Sequence, residues 1–279
     1  MQEFYFPNGN ITYTKAEQKI VDFLMQSSSE LVLLSIHDIS TRLGVSEATI
    51  SRFTRHVGYQ DFKELKADLL NQIEETKSPA EKLSASLLQD NSSLLGMLRY
   101  QQFCIEKTMA HLEESYVSSI VDTMVSSRRI FLFGKGAASS LAELLRFRLS
   151  RFGMDVTLFP AGGSEVFETL NFIQKEDFII LFGFQRTPVE AGVILKHCRG
   201  LGCKTLLITS RMLDDSDHTA DYQLFVYRGQ PKEYHSMAAP VALLDALVIL
   251  IAARLSSSAT DALENLHHLK EYYKKEIPR

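Results

Sequence analysis

Between residues 129 and 228, short apolar runs alternate with amphipathic stretches, the pattern of buried parallel strands joined by crossover helices. The runs are Arg129 to Phe133, Asp155 to Phe159, Phe178 to Phe182, Lys204 to Ile208 and Gln223 to Tyr227, and each of the first four leads into a helix-like segment or a loop. Residues 11 to 75 differ in kind, with helical periodicity alone, and a Ser-, Lys-, Glu- and Asn-rich stretch at 76 to 95 separates the two. The expected fold is therefore two domains. Residues 1–77 form an all-α unit, 78–107 a linker and connecting helix, and 108–279 an α/β unit with a five-stranded parallel sheet flanked by helices. Leu94 to Ser126 suits one or two amphipathic helices, which either cover the sheet or take part in dimerisation. Ala259 to Glu276 reads as a charged amphipathic helix.

The chain has 279 residues, 45% of them apolar and 23% charged, which describes globular rather than disordered material. Its longest apolar stretch, Met237 to Ala253, is interrupted by Pro240 and Asp245, so it falls short of the roughly 20 uninterrupted apolar residues of a membrane span. It reads as a buried helix. Cys104, Cys198 and Cys203 are an odd and scattered set without paired spacing, which points to a reducing, cytoplasmic compartment and away from disulfides or a structural metal. Nothing in the sequence calls for a cofactor.

Residues Ile36 to Arg55 fit two helices joined by a tight turn. Ile36, Ile39 and Leu43 form the inward face of the first, Gly44 supplies the turn, and the second begins at Ser46 as N-cap with Ile50 and Phe53 inward. Ser40, small, lets the backbones cross closely. Upstream, Thr14 and Glu17 make a capping box that opens an earlier helix. A bare helical hairpin gives a similar pattern, and a helix-turn-helix that reads DNA is the reading expected here. In that reading Ser46, Glu47, Ala48, Thr49, Ser51, Arg52 and Arg55 face the major groove, and Lys63 and Lys66 on the next helix either clamp the backbone or lie on a solvated face. Arginine binds a guanine edge at two points or holds a phosphate; sequence does not choose. The overall charge of −4, and eleven acidic against eight basic residues over 1–77, give no bulk attraction for DNA, so this expectation rests on geometry.

The run Leu43-Gly-Val-Ser-Glu-Ala-Thr-Ile-Ser-Arg-Phe53, followed by Val57-Gly-Tyr-Gln-Asp-Phe62 and Leu65-Lys66, resembles the DNA-binding domain of the RpiR family of sugar-responsive bacterial regulators. The resemblance implies a sugar isomerase (SIS) domain after the linker. Gly134 and Gly136, the Phe152-Gly153 turn, Asp177, the Gly200-Leu-Gly-Cys-Lys204 turn, Thr209-Ser210, Ala220-Asp221 and Leu244-Asp-Ala-Leu247 follow that domain in order and spacing.

The first loop of this half, Phe133-Gly-Lys-Gly-Ala-Ala-Ser-Ser140, brings backbone N–H groups to the positive end of a helix, where an anion binds or where glycine merely permits packing. It lacks the third glycine and the acidic partner of a dinucleotide site. The chain departs from the family at the anion loops: Ala138 stands at the usual serine position, and the serine-rich loop after the third strand is replaced by Phe182-Gly-Phe-Gln-Arg-Thr187. The expected effector set is Gly134, Gly136, Ser139, Ser140, Gln185, Arg186 and Thr187, with Glu233 hydrogen-bonding sugar hydroxyls. Alternatively the pocket has moved to another ligand or lost ligand binding. In SIS isomerases a Glu and a His near the position of Glu233 and His235 move protons; with a DNA-reading domain attached, no catalytic residue is expected.

The resemblance thus implies a transcription regulator of carbohydrate metabolism, a homodimer or homotetramer on an inverted-repeat double-stranded operator, controlled by a phosphorylated sugar or related anion and independent of membranes. The alternatives are a sugar-phosphate isomerase with an accessory helical domain, and a regulator whose SIS domain only dimerises.

Overall fold

The computed structural model describes residues 4–8, 11–26, 31, 34–75, 78–87, 93–184, 187–211, 220–230 and 233–277. The chain divides into two compact units, one holding residues through Tyr100 with the Gly229–Ser236 stretch, the other Gln101–Arg211 and most of the remaining C-terminal half.

In the first unit the expected capping box is formed: the Thr14 N–H donates to Glu17 (2.8 Å) and the Glu17 N–H to the Thr14 hydroxyl (3.3 Å), opening α1 (Lys15–Gln26). Helix α2 (Ile36–Leu43) has a second box, Ser35 with Asp38, and ends at Gly44, whose φ of 64° is the left-handed conformation the turn requires. Helices α3 (Glu47–His56) and α4 (Phe62–Glu75) complete the fold. Ile20, Leu24, Ile39, Ile50, Phe53, Leu65 and Leu69 are buried together, one apolar stripe from each helix. The short α5 (Pro79–Leu87) buries none of its residues, and α6 (Leu94–Met109) follows.

The second unit is a five-stranded sheet, all parallel, in the order β2-β1-β3-β4-β5. Its strands are β1 (Ile130–Gly134), β2 (Val156–Leu158), β3 (Phe178–Phe182), β4 (Lys204–Thr209) and β5 (Tyr222–Phe225). Strand β3 is buried along its whole length, as a central strand covered on both faces must be. After β1 the chain passes through α8 (Ala137–Ser150) to β2 on one side; after β3 it passes through α10 (Val189–Leu201) to β4 on the other. Right-handed crossovers in opposite directions put α8 and α10 on opposite faces. Helices α7 (Glu114–Ser126), α8 and α11 (Ala238–Leu255) pack together, and α9 (Val166–Leu170) lies with α10. The chain ends in α12 (Ser257–Tyr272), which buries little beyond Ala259.

The stretch read as a buried helix is α11, the one helix among the described residues long and apolar enough to cross a membrane by length and composition. Leu243, Leu244, Leu247, Val248 and Ile251 bury its inner face in the α/β unit. At the amino edge of the sheet, Arg128 holds the buried Asp177 at two points (2.9 and 2.8 Å), and Lys204 holds Asp221 (2.7 Å). The acidic residues that open β3 and β5 are thus structural clamps. All three cysteines are buried and form no disulfide.

Candidate DNA-reading helix and effector site

In the first unit, Ser46 caps α3: the Thr49 N–H donates to its side-chain oxygen at 3.2 Å. The two hydroxyls also meet at 2.9 Å. Inward, Ile50 and Phe53 are fully buried and the Thr54 hydroxyl donates to the Ile50 carbonyl (2.9 Å), leaving the opposite face for solvent. Ser46, Glu47, Arg52 and Arg55 are exposed; Thr49 and Ser51 are half-buried. Arg52 reaches only the Thr49 hydroxyl, at 3.4 Å, and neither Arg52 nor Arg55 forms an ion pair among the described residues. Glu47 instead faces His37 of α2 (2.9 Å), which tethers the start of the second helix to the first. Two guanidiniums without acidic partners, on a helix whose inner face is locked, are disposed to meet an anion or a base edge.

One expected clamp is corrected. Lys66 is 7% exposed, and its ammonium donates to the Leu34 carbonyl at 2.7 Å, so it braces the segment ahead of α2 and does not face DNA. Lys63, one turn earlier on α4, is half-buried.

In the second unit, the strand order reverses direction between β1 and β3, and the crevice beyond the carboxyl ends of those strands is where open α/β sheets take ligands. The loop after β1 carries Gly134, Gly136, Ser139 and Ser140. A Cβ at Gly134 would lie 2.5 Å from the Ala138 carbonyl oxygen, so this glycine is demanded by the close packing of α8 on its own strand. Gly136 is exposed, with φ 61°, immediately before α8. The Ser139 and Ser140 hydroxyls donate to the Gly136 and Ala137 carbonyls (2.8 and 2.7 Å), and the Ala138 and Ser139 N–H groups are likewise turned to Lys135 and Gly136. Thr187, exposed, lies over Gly183 at the end of β3. Gln185 and Arg186 lie outside the described residues.

Glu233 has a different setting from the one expected. It is buried in the first unit, where its carboxylate accepts from the Tyr100 hydroxyl and from the Gln230 N–H (3.0 Å). Its acceptors are engaged by the protein itself. His235 bonds the Gln230 carbonyl (3.1 Å).

Sequence reasoning missed three groups at the carboxyl edge. Lys135 pairs with Glu190 at the start of α10 (2.8 Å), and this ammonium holds the Glu190 carboxyl below its ordinary range. Arg228, three residues past β5, lies over the Phe184 ring at 4.3 Å, and burial pushes its guanidinium down to about 10. Ser210, just past β4, has a buried hydroxyl with no hydrogen-bond partner among the described residues. The available signal was a polar or charged residue within two positions of the end of an apolar run.

The chain thus joins a helical unit that exposes two arginines on a capped helix to an α/β unit with an open parallel sheet. Residues 8–76 match the helix-turn-helix domain of the rpiR family and residues 123–250 match the SIS domain, and the chain belongs to the RpiR-type helix-turn-helix and SIS transcriptional regulators. It is 28% identical over 211 residues to an uncharacterized HTH-type transcriptional regulator in the aarA 3′ region of Providencia stuartii, covering 75% of this chain and 74% of that one. An uncharacterized HTH-type transcriptional regulator of Haemophilus influenzae is 26% identical over 217 residues, covering 76% and 74%. Among solved structures, the sugar isomerase domain of an RpiR transcription factor from Sphaerobacter thermophilus has a TM-score of 0.58 at 18% identity, covering 62% of this chain and 97% of that one. Vibrio vulnificus NanR, complexed with ManNAc-6P, has a TM-score of 0.58 at 15% identity, covering 92% and 93%. At these identities the structural likeness speaks for fold.

Proposed function

We propose that this chain regulates carbohydrate metabolism in the cytoplasm, binding inverted-repeat operators as a homodimer or homotetramer and responding to a phosphorylated sugar or related anion in its SIS domain. The observation that carries the reading is the outer face of α3, where Arg52 and Arg55 stand exposed on a helix capped at Ser46 and fixed from behind by Ile50 and Phe53. The recognition set is Ser46, Glu47, Thr49, Ser51, Arg52 and Arg55, with Lys63 on the backbone.

Support for the ligand class comes from the carboxyl-edge crevice and from NanR, a fold relative that was solved with a phosphorylated amino sugar. Support for self-association comes from an apolar groove of about 530 Å³ between α7 and α11, lined by Leu112, Val117, Leu243 and Leu250 among others. Ile249 and Leu250 are exposed large apolar residues on the same helix. A two-fold assembly presents two reading helices to half-sites on one face of DNA. The SIS domain acts here as a sensor without turnover, since the chain pairs it with a DNA-reading unit.

Gel retardation of the chain's own upstream DNA, with and without a panel of hexose and amino-sugar phosphates, tests this reading. A shifted band whose yield responds to one phosphosugar is expected. Isomerisation of that phosphosugar by the purified protein, with no DNA shift, contradicts it.

A further inference from the structure

Helices α2 and α3 are joined by one side-chain contact that lies outside their apolar core. Glu47 is the first residue of α3 and His37 the second of α2, and the His37 Nδ1 meets a Glu47 carboxylate oxygen at 2.9 Å. A carboxylate only accepts, so this ring nitrogen is the donor. Both side chains stay exposed, His37 by 77% and Glu47 by 49%. The core that Ile39, Ile50 and Phe53 build is complete without them, and an exposed pair adds little to stability. An acidic residue in the first turn suits the helix dipole, which accounts for Glu47 as a residue type but not for a tether that fixes its carboxylate. One turn on along α3 its neighbours are Ile50 and Ser51, and no basic group of that helix pairs with it among the described residues.

Resting on the DNA-reading assignment above, we infer that Glu47 selects cytosine in each operator half-site, and that His37 is the positioning residue that holds its carboxylate in place. A carboxylate close to DNA is repelled by the phosphates and by the guanine N7 and O6 and thymine O4 acceptors of the major groove. The cytosine edge offers its N4 amino group with no acceptor of its own beside it, so it is the base that rewards an anionic acceptor. Adenine sets its N6 donor next to N7, an acceptor that a carboxylate avoids. Arg52 and Arg55 seek the opposite chemistry, guanine edges or phosphate, so the exposed face of α3 carries readers of both signs. A free glutamate samples several rotamers and has to be ordered on binding, whereas the His37 contact has already restricted this one.

Binding of the full chain is measured on the segment of its own upstream DNA that it retards, and on duplexes in which each base pair of that segment is replaced in turn by the other three. Wild type is expected to prefer cytosine at one position of each half-site by about tenfold. Glu47→Ala should lose the preference there, keep those elsewhere, and bind mismatched duplexes at least as tightly as wild type, because a negative charge near phosphate has gone. Glu47→Gln brings an amide that bonds adenine at two points, so the preference at that same position should move from cytosine to adenine. His37→Ala should weaken the cytosine preference several-fold without moving it, and His37→Gln, which keeps an N–H donor, should restore much of it. Melting temperatures of the four variants should lie close to that of wild type, since the pair is exposed.

Unchanged base preferences in Glu47→Ala, whatever its overall affinity, make the pair a tether alone and overturn the assignment while leaving DNA reading by α3 intact. A change confined to a position where wild type prefers guanine, thymine or adenine overturns it as well. Full cytosine preference in both His37 variants removes the positioning role of that residue. No retardation of any duplex by wild type defeats the DNA-reading assignment, and the role of Glu47 with it.

Discussion

The Ser46 side chain holds Thr49 twice, accepting its backbone N–H at 3.2 Å and meeting its hydroxyl at 2.9 Å, so the first turn of the DNA-reading helix is set by two neighbours on its exposed end. Cap and reading surface therefore share residues, and they separate by mutation. Ser46→Ala loses the cap and should cost the helical unit about 1 kcal/mol. Ser46→Asp keeps a capping oxygen and favours the helix dipole, but sets a negative charge where phosphate approaches. Unfolding curves should rank Asp near wild type and Ala below it, while DNA affinity falls in both and further in Asp.

Lys66 and Arg55 make opposite predictions. With its ammonium on the Leu34 carbonyl, Lys66 is a strut, and Lys66→Met should destabilise the helical unit by about 1–3 kcal/mol because the carbonyl is left unsatisfied. The salt dependence of DNA binding should not change in that variant. Arg55→Ala should leave stability nearly unaltered and lower the slope of log affinity against log salt by about 1. A lowered slope in Lys66→Met returns that lysine to the DNA face.

Two glycines separate packing from propensity. Gly134→Ala puts a Cβ against the Ala138 carbonyl at 2.5 Å, a backbone clash that should cost about 1–3 kcal/mol in the α/β unit. Gly200, inside α10, has open space at its Cβ position, and Gly200→Ala should stabilise by about 0.5–1 kcal/mol. Chemical denaturation of the two variants reads both signs.

Asp221 governs part of the acid response. Burial alone would raise its carboxyl, but the Lys204 ammonium and the Thr205 hydroxyl and N–H outweigh that and hold it below the ordinary value. The folded state therefore binds this proton less readily than the unfolded chain. Its stabilisation is complete above the usual aspartate range and is lost as pH falls through about 4 and below. Asp221→Asn should lower the melting temperature at neutral pH and flatten its decline between about pH 5 and pH 3. An equally steep decline in the variant removes Asp221 from the account.

Much of this architecture was legible because it is written in periodicity. The five apolar runs became the five strands with shifts of at most two residues at their ends, and Gly44, Ser46, Ile50 and Phe53 took the places that the turn and the helix pattern demanded. Lys66 was not legible: a lysine on a helix reads as solvated, and only the tertiary fold shows a carbonyl waiting beneath it. Glu233 was misplaced because its partner, Tyr100, is 133 residues away in sequence. Arg228 escaped notice, and Ser210 was read only as the end of a strand, for the same reason, since parallel strands bring their ends together only after long crossovers. At the glycine-rich loop after β1, the glycines were visible but the direction of each serine hydroxyl was not.

The central claim is that the outer face of α3 reads DNA, and the most direct test compares wild type with Arg52→Ala for affinity to the chain's own upstream DNA at moderate salt. Circular dichroism and melting temperature confirm an intact fold in each. The account predicts that the variant folds as wild type does and keeps only weak, sequence-independent binding. Wild-type affinity and specificity in Arg52→Ala contradict it.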